Sequence, residues 1–382
     1  MAESCVDIGS IGSHFESLTD PRHTRNRKHL LVDIVVISIC GILCGASGPT
    51  AIHRWAKSKR EWLAQYLALP HGIPSRDCLR RLLILLKPEA FQKCFEEWIA
   101  SGVETAATGP RRLVAIDGKT CRRSHDAAKE WGPLHIVSAW ASEEGISLGQ
   151  VATDEKSNEI TAIPELLTRL DLTNTIVTID AMGCQKAIAE QIVEGGGDFV
   201  LAVKDNQPKL FAAIQEFFAH HLERDLEELR YRECETSDEG HGRIDERAYV
   251  VTKLPKDFAL KQEWPWIKAL GYAVRLTQHA DGRETYEVRY YILSRYLSGP
   301  RFAAAVRGHW GIESMHWVLD VIFREDDSRT RERTLGNNLS WLRRFAITRL
   351  KHHPLEESLR GKMQICGWNN DFLAEVLTGQ HV

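Results

Sequence analysis

The apolar pattern of the chain changes at Arg111, and this change constrains the fold more strongly than any other feature. Before it, apolar residues recur at helical spacing in three stretches, 29–45, 49–67 and 75–101. After it, short β-branched runs alternate with helical segments. Such alternation predicts a mixed sheet with helices on both faces. We therefore expect an α/β fold that is preceded by a helical region.

The pattern divides the chain into five parts. In order they are a helical region (1–108), the first part of the α/β core (109–229), a β-rich segment (230–295), the second part of the core (296–350) and a C-terminal tail (351–382). The second part of the core contains a long helix at about 301–323, which is expected to pack against the sheet.

The composition is that of an ordinary folded protein and excludes several classes. Apolar residues make up 43% of the 382 residues and charged residues 26%, which excludes a disordered or collagen-like chain. The nine cysteines are scattered without a C-x-x-C pair, so we expect reduced thiols rather than disulfides or a zinc site. The longest apolar run, 30–46, is shorter than the roughly 20 residues of a membrane span, and no signal peptide is visible. We expect a cytoplasmic protein.

Two aspartates directly follow apolar, strand-like runs. Asp117 lies in AIDGK after 112–116, and Asp180 lies in TIDAM after 175–179. A third carboxylate, Glu313, lies on the long helix. An isolated aspartate after a strand more often caps a turn, but side chains at the strand ends of an α/β sheet converge. Three carboxylates from separate elements are what a two-metal phosphoryl-transfer site requires, and Mg²⁺ prefers such oxygen ligands.

Seven segments together carry a resemblance to a known family. They are LTDPRH (18–23), DIVVISICGILCGA (33–46), AIDGKTCRRS (115–124), TIDAMGCQKAIAEQI (178–192), DFVLAVKDNQ (198–207), HGRIDER (241–247) and HWGIESMHWVLDVIFREDDSR (309–329). The chain resembles the DDE transposases of bacterial insertion sequences, in the ISAs group that includes the H-repeat proteins associated with Rhs elements. The resemblance covers about residues 16–350.

This resemblance implies both a fold and an activity. It implies a ribonuclease-H-like mixed sheet flanked by helices, with an N-terminal helical, DNA-binding domain and a β-rich insertion before Glu313. Asp117, Asp180 and Glu313 would be the catalytic and metal-binding triad, with Mg²⁺ as cofactor and Mn²⁺ as a substitute. The partners would be double-stranded DNA, at the transposon ends and the target, and further copies of the chain in an active homo-oligomer. The protein would then be associated with the nucleoid, where it would cleave terminal inverted repeats and catalyse strand transfer.

The residues around Glu313 depart from the wider superfamily signature, Tyr-x2-Arg-x3-Glu-x6-Lys. Val306, His309 and Asp320 stand at the Tyr, Arg and Lys positions. On a continuous helix, Asp320 and Arg324 would both project within about 20° of the Glu313 direction. Arg324 is therefore expected to replace the missing phosphate contact. Asp320 is expected to touch a metal ion, to repel DNA or to form a surface salt bridge.

Other polar side chains are expected to contact DNA or to pack. Those expected to contact DNA are Lys119, Arg122, Arg123, Lys204, His241, Arg243, His309 and Arg324. Basic residues in 22–28, 76–81 and 324–351 suit sequence-independent phosphate contact, although solvated helix faces carry such residues too. Trp310 and Trp317 are expected to pack against the core rather than to stack on bases.

Two other functions remain open at this point. A ribonuclease-H-like nuclease that cuts DNA without strand transfer would use the same three carboxylates. A catalytically silent DNA-binding protein that descends from a transposase would keep the fold; the intact triad argues against it, whereas the altered signature around Glu313 keeps it open. Binding and joining of paired inverted ends would separate a transposase from both.

Overall fold

The computed structural model describes residues 8–102, 111–153, 159–240 and 242–379. The strands are β1 (Arg112–Cys121), β2 (Leu134–Ala141), β3 (Ile146–Thr153), β4 (Thr175–Ile179), β5 (Asp198–Val203), β6 (Tyr231–Gly240), β7 (Arg243–Lys253), β8 (Ala269–His279) and β9 (Glu284–Leu293). The helices are α1 (Leu31–Leu43), α2 (Pro49–Ser58), α3 (Arg60–Leu63), α4 (Arg76–Leu85), α5 (Pro88–Gly102), α6 (Glu159–Leu167), α7 (Lys186–Glu194), α8 (Pro208–Leu222), α9 (Gly299–Val321), α10 (Arg333–His352), α11 (Leu359–Trp368) and α12 (Asn370–Thr378). Within these ranges no helix has the length and apolar character needed to cross a membrane.

The strands form one mixed sheet in the order β3-β2-β1-β4-β5-β9-β8-β7-β6. The first three strands are antiparallel neighbours, whereas β4 and β5 run parallel to β1. The α/β fold with a mixed sheet that the sequence predicts is thus confirmed. The first strand is longer than expected, because Gly118 to Cys121 continue the pairing with β2.

The strands predicted within 230–295 extend the same sheet. Strand β9 pairs antiparallel with β5, for example Val200 with Leu293, and β8, β7 and β6 follow outward. Strand β6 is mostly exposed along its whole length, whereas β7 is exposed at its start and buried from Tyr249 to Thr252. Helix α9 contacts both strands. This half of the sheet therefore provides a platform beside the first half.

Helices cover both faces of the sheet. Helices α6, α7 and α8 share one apolar core with β1, β4 and β5. On the opposite face, α9 contacts β1, β4, β6 and β7. Ser298 caps the start of α9 by accepting a hydrogen bond from the Arg301 amide, and Ser142 donates a 2.6 Å hydrogen bond to the Gly308 carbonyl. These contacts fix the middle of α9 over the sheet.

Both ends of the chain build one helical body. Helix α1 is buried along almost its whole length and packs against α2 and α10. Phe95 of α5 lies against Phe345 of α10, with ring centres 4.6 Å apart. The buried Asn338 amide donates to the carbonyls of Leu83 and Leu86 at the end of α4. Helices α1, α4 and α5 therefore share their core with a helix that lies more than 200 residues later.

Candidate active site

Asp117 and Asp180 occupy matching positions on adjacent parallel strands. Ile116 of β1 pairs with Ile179 of β4, and each aspartate follows its isoleucine directly. Adjacent strands lie about 4.8 Å apart, so the two carboxylates are close neighbours on the sheet. The Asp180 carboxylate also accepts a 3.3 Å hydrogen bond from the Gly183 amide, which caps the 3₁₀ turn Ala181–Gly183.

Glu313 reaches the same region from α9. Its neighbours Ile312 and Met315 are fully buried and hold the helix against the core, whereas Glu313 itself is exposed. Glu313 and Asp180 line one cavity of about 370 Å³. Lys204 and His309, both expected to contact DNA, line this cavity as well. The structure therefore brings four of the expected site residues together.

The carboxylates at this position repel each other. Burial first, and then the charges of Asp180, Glu159 and Glu313, raise the pKa of Asp117 to about 7, although a hydrogen bond from the Gly118 amide opposes this shift. Among the described residues, its ion-pair partner is His316, whose Nδ1 lies 3.5 Å from Asp117 Oδ2. Burial first, and then the charges of Arg344 and Lys119, lower the pKa of His316 to about 3. His316 is therefore neutral at pH 7 and leaves the negative charge uncompensated.

The neutral imidazole of His309 closes the other side of the cavity. Its Nδ1 lies 3.2 Å from Thr178 Oγ1, on the strand that leads to Asp180. Burial lowers the pKa of His309, although the charge of Asp180 opposes this. At the cavity wall this side chain is therefore a polar contact without a full positive charge.

A fourth carboxylate near Asp117, Glu159, has no motif to mark it in the sequence. His135 Nε2 lies 2.6 Å from its Oε1, and both side chains are buried. A Cβ atom on Gly118 would lie 2.3 Å from both of these atoms, so only glycine fits at this position. The signal that could have revealed this buried pair is the glycine itself, because glycine inside a strand often marks a close approach.

Lys119 lies in a different environment from its neighbour Asp117. Its side chain is only 6% exposed, and Nζ lies 2.6 Å from Asp320, 3.1 Å from Asp326 and 3.5 Å from Glu325. The ammonium group is thus turned toward carboxylates of the protein. Of the three expectations for Asp320, a salt bridge is what the structure contains. A DNA contact by Lys119 stays a prediction, and it would have to compete with these carboxylates.

Arg324 does not lie on the helix of Glu313, although the sequence predicts both residues on one continuous helix. Helix α9 ends at Val321, and Arg324 adopts a left-handed backbone conformation with φ of +53°. Its side chain is exposed, pairs with Asp327 and lines a separate groove together with Arg123. The expectation that Arg324 projects alongside Glu313 is therefore wrong, because the helix does not reach it.

The remaining basic candidates are spread over several surfaces. Arg122 and Arg123 are exposed and pair with Asp326 and Asp327. Arg243 is exposed at the start of β7, next to Asp245, while His241 lies outside the described residues. The described residues thus place these arginines outside the cavity that Asp180 and Glu313 line.

Two basic residues of the expected C-terminal phosphate surface are buried instead. Arg343 and Arg344 of α10 both contact Glu325, at 3.3 and 3.7 Å. Because their guanidinium groups lie inside the protein, the expectation of a phosphate contact is wrong for these two residues.

Sequence reasoning also missed the surroundings of Trp310. The guanidinium groups of Arg247, Arg275 and Arg289, from β7, β8 and β9, lie 5.4–5.6 Å from its ring centre. Arg289 lines the cavity, and the charge of Glu313 contributes to raising its pKa. Arg275 and Arg289 carry no sequence signal, whereas Arg247 ends the HGRIDER segment (241–247) of the family resemblance. Trp317 is 59% exposed, so the expectation that it packs in the core is wrong.

The carboxylates of Asp117, Asp180 and Glu313 suit a site for two divalent metal ions rather than a site for one. The described residues contain no cluster of three or more His, Cys, Asp or Glu side chains that could hold one ion. A two-ion site does not need such a cage, because each ion takes two protein carboxylates, water and substrate phosphate. Asp117, Asp180 and Glu313 offer only hard oxygen donors, and burial together with the nearby carboxylates raises the pKa of Asp117, an effect that a bound cation would oppose. These residues therefore fit the ions.

Comparison with known proteins decides the family. The family described as Transposase DDE domain matches residues 108–348, and the one described as DDE_Tnp_1-associated matches residues 12–99. The chain belongs to the DDE transposases. Membership of this family brings dependence on divalent metal ions.

Several relatives match almost the whole chain. The "H repeat-associated putative transposase YhhI" of Escherichia coli strain K12 is 37% identical, over 98% of this chain and 99% of the relative. The "Putative transposase YncI" of Escherichia coli O157:H7 is 36% identical, over 97% and 95%. Among solved structures, a piggyBac transposase synaptic complex with hairpin DNA covers 97% of this DDE transposase and 80% of its own chain. Its TM-score of 0.39 and identity of 11% are too low to bear on the fold.

Proposed function

We propose that this DDE transposase binds the terminal inverted repeats of an insertion sequence and catalyses DNA cleavage followed by strand transfer. The observation that carries the proposal is the proximity of three carboxylates: Asp180 and Glu313 line one cavity, and the charges of both act on the buried Asp117. Family membership makes DNA the substrate class. The metal is Mg²⁺, and Mn²⁺ offers the same octahedral preference for oxygen donors.

A ribonuclease-H-like core forms part of the proposal. The order β3-β2-β1-β4-β5, with three antiparallel strands and two strands parallel to β1, supports it. In this arrangement β6–β9 are the insertion, and α9 carries the final carboxylate. The proposed division of the chain follows the five parts expected from the sequence, with 1–108 as the DNA-binding domain. The active form is a homo-oligomer on nucleoid DNA.

Each side chain of the site has a distinct role in this mechanism. Asp117, Asp180 and Glu313 would together hold the two metal ions through their carboxylate oxygens. When bound, the two ions activate the attacking oxygen and stabilise the leaving oxygen. His316 holds the Asp117 carboxylate from behind without adding charge. Lys204 and Arg289, which line the cavity, orient the phosphate of the substrate.

One alternative function is favoured by a specific observation. None of the three signature positions around Glu313 carries a free cation or a tyrosine hydroxyl: Val306 is apolar and buried, the pKa of the His309 imidazole is lowered by burial, and Asp320 pairs with Lys119. A protein that binds DNA without cleaving it would tolerate these changes. The intact carboxylate triad argues against this alternative.

A strand-cleavage assay tests the proposal. The purified protein is mixed with labelled duplexes that carry the element's own inverted ends, in Mg²⁺, next to an Asp180→Asn variant. We expect wild type to cut at the ends and to join them to a target, and the variant to bind with wild-type affinity without cutting. The exposed Asp257→Asn is the matched control and should cut normally.

The products separate the three functions. Cleavage at the inverted ends without joining to a target would indicate a nuclease. Binding without cutting, in Mg²⁺ and in Mn²⁺, would favour the silent DNA-binding protein. Equal cleavage by wild type and Asp180→Asn would contradict a catalytic role for these carboxylates.

A further inference from the structure

A basic groove lies apart from the active-site cavity. It runs between α2 and α4 on one side and the segment 324–332, which links α9 to α10, on the other. Two adjoining hollows of about 620 and 460 Å³ form it, and they share Pro49, Thr50, Arg329 and Thr330. We call it the arginine groove.

The charged residues of the arginine groove are predominantly arginines. Those that line it are Arg76, Arg80, Arg123, Arg324, Arg329 and Arg331, while the acidic lining residues are Asp77, Asp327 and Glu332. The six arginines come from three separate stretches of the chain, and all are exposed. This local excess of positive charge stands out because the whole chain has a net charge of −3. Folding has therefore gathered arginines that the sequence leaves scattered.

Most of these arginines are free to bind an external anion. Arg80 and Arg329 form no ion pair with any residue that the structure describes. Arg76 and Arg331 form only long, exposed contacts, of 3.7 Å to Asp77 and 3.8 Å to Asp126. Such surface pairs contribute little energy and exchange easily. Phosphate oxygens can therefore replace these partners.

The remainder of the lining also suits a phosphate backbone. The hydroxyl groups of Ser47, Thr50, Ser328 and Thr330 are lining donors. Few apolar side chains line it, whereas an interface between proteins has an apolar centre. Arginine and hydroxyl donors without an apolar centre are typical of contacts to the backbone of nucleic acid.

We infer that the arginine groove binds the sugar-phosphate backbone of duplex DNA that continues from the active site. The inference rests on the proposed function, because it takes the same DNA as its ligand. Arg123 lies six residues after Asp117, and four of these residues continue β1. At about 3.3 Å per residue the groove begins up to roughly 20 Å from Asp117, which is about six base pairs of DNA.

Salt dependence of DNA binding tests the inference. A double variant, Arg80→Gln with Arg329→Gln, is compared with wild type in EDTA, where no cleavage occurs. Each lost phosphate contact lowers the slope of log affinity against log salt by about 0.9, so we expect the slope to fall by roughly 2. The affinity at 0.1 M salt should weaken by roughly tenfold to hundredfold, equally for inverted-end and unrelated duplexes.

A matched control and a footprint complete the test. The exposed Arg224→Gln with Arg360→Gln removes the same charge elsewhere and should leave the slope unchanged. Thermal unfolding of both double variants verifies that they fold. Ethylation interference should detect a phosphate contact about six base pairs from the cleaved bond, and the groove variant should lose it.

The outcomes distinguish the groove from the proposed function. An unchanged slope in the groove variant, with wild type cleaving normally, overturns the inference alone. The same holds if the variant changes only the mass of the oligomer, which would assign the groove to an acidic surface of a second copy. A reduced slope together with a wild type that never cleaves supports the groove and overturns the proposed function.

Discussion

Two charged clusters are built on the same strand, two residues apart, and they differ in how their charge is balanced. Around Asp117, burial and then the carboxylates of Asp180, Glu159 and Glu313 raise its pKa, and the neighbouring His316 is neutral. Around Lys119, the fully buried Glu325 contacts Arg343 and Arg344 as well as Lys119. The positive neighbours lower the pKa of Glu325 to about 2, although burial opposes them.

The balance of charge distinguishes a cluster that stabilises the fold from one that is suited to bind a ligand. Buried charge that the protein neutralises itself ties elements together, here the end of α9, β1 and α10. Charge that the protein leaves uncompensated at a cavity is a cost of folding that a ligand recovers. Four experiments test this contrast between the clusters around Asp117 and Lys119.

The largest expected effect comes from Glu325→Gln. It leaves Arg343, Arg344 and Lys119 without their shared anion in the interior. Removing one partner of a buried ion pair costs about 3–5 kcal/mol, so the free energy of unfolding should fall by that amount. Urea denaturation measures it, with the exposed Glu228→Gln as the matched control. A loss below about 1 kcal/mol would show that this cluster is not structural.

The same cluster should make the protein sensitive to acid. Because the pKa of Glu325 is about 2 in the folded protein and 4.5 ordinarily, its stabilisation is complete above pH 4.5. It is lost as the pH falls from 4.5 toward 2. The stability gap between wild type and Glu325→Gln should therefore narrow over this interval in urea denaturation. If the stability difference between wild type and Glu325→Gln grew as the pH fell, the pKa of Glu325 would be raised rather than lowered in the folded protein.

Gly118, which separates the two clusters, should tolerate no side chain. A Cβ atom would lie 2.3 Å from Glu159 Oε1 and His135 Nε2, so Gly118→Ala must displace a buried pair. We expect a loss of about 1–3 kcal/mol and a slower cleavage rate. Gly367→Ala in α11 is the control, since no neighbouring atom would lie within 4 Å of its Cβ. Equal stability of both variants would show that the pair at Gly118 moves without cost.

The smallest effect, and the one with opposite sign, is expected for Asp117→Asn. Above pH 7 this change removes a repelled charge, so without metal the free energy of unfolding should rise by about 1 kcal/mol at pH 8. The gain should vanish below pH 4, where the carboxyl group is neutral in both the folded and the unfolded protein. Cleavage should be lost. Destabilisation at pH 8 would mean that Asp117 belongs with the compensated cluster.

The sequence predicts where the three carboxylates lie in the fold better than it predicts their surroundings. Asp117 and Asp180 follow β-branched runs, and these runs are adjacent strands in register. Glu313 lies on a helix as expected. These features depend on local pattern, which a single sequence displays directly.

The parts that the sequence does not reveal depend on distant contacts. The partners of Lys119 come from the end of α9, some 200 residues later, so nothing near Lys119 marks it as buried. The end of α9 carries no glycine to signal it, since Arg324 itself adopts the left-handed conformation. The exposure of Trp317 also depends on which face of α9 meets the sheet, and apolar residues on both sides of the helix hide that face.

The shared helical body has a consequence for the time course of synthesis. Helix α1 leaves the ribosome before its partner α10, which begins at Arg333, roughly 300 residues later. At 5–20 residues per second, the apolar surface of α1 waits about 15–60 seconds for the helix that covers it. During that interval the nascent chain exposes apolar surface that is prone to aggregate. Folding of this helical body therefore has to wait until α10 has been synthesised.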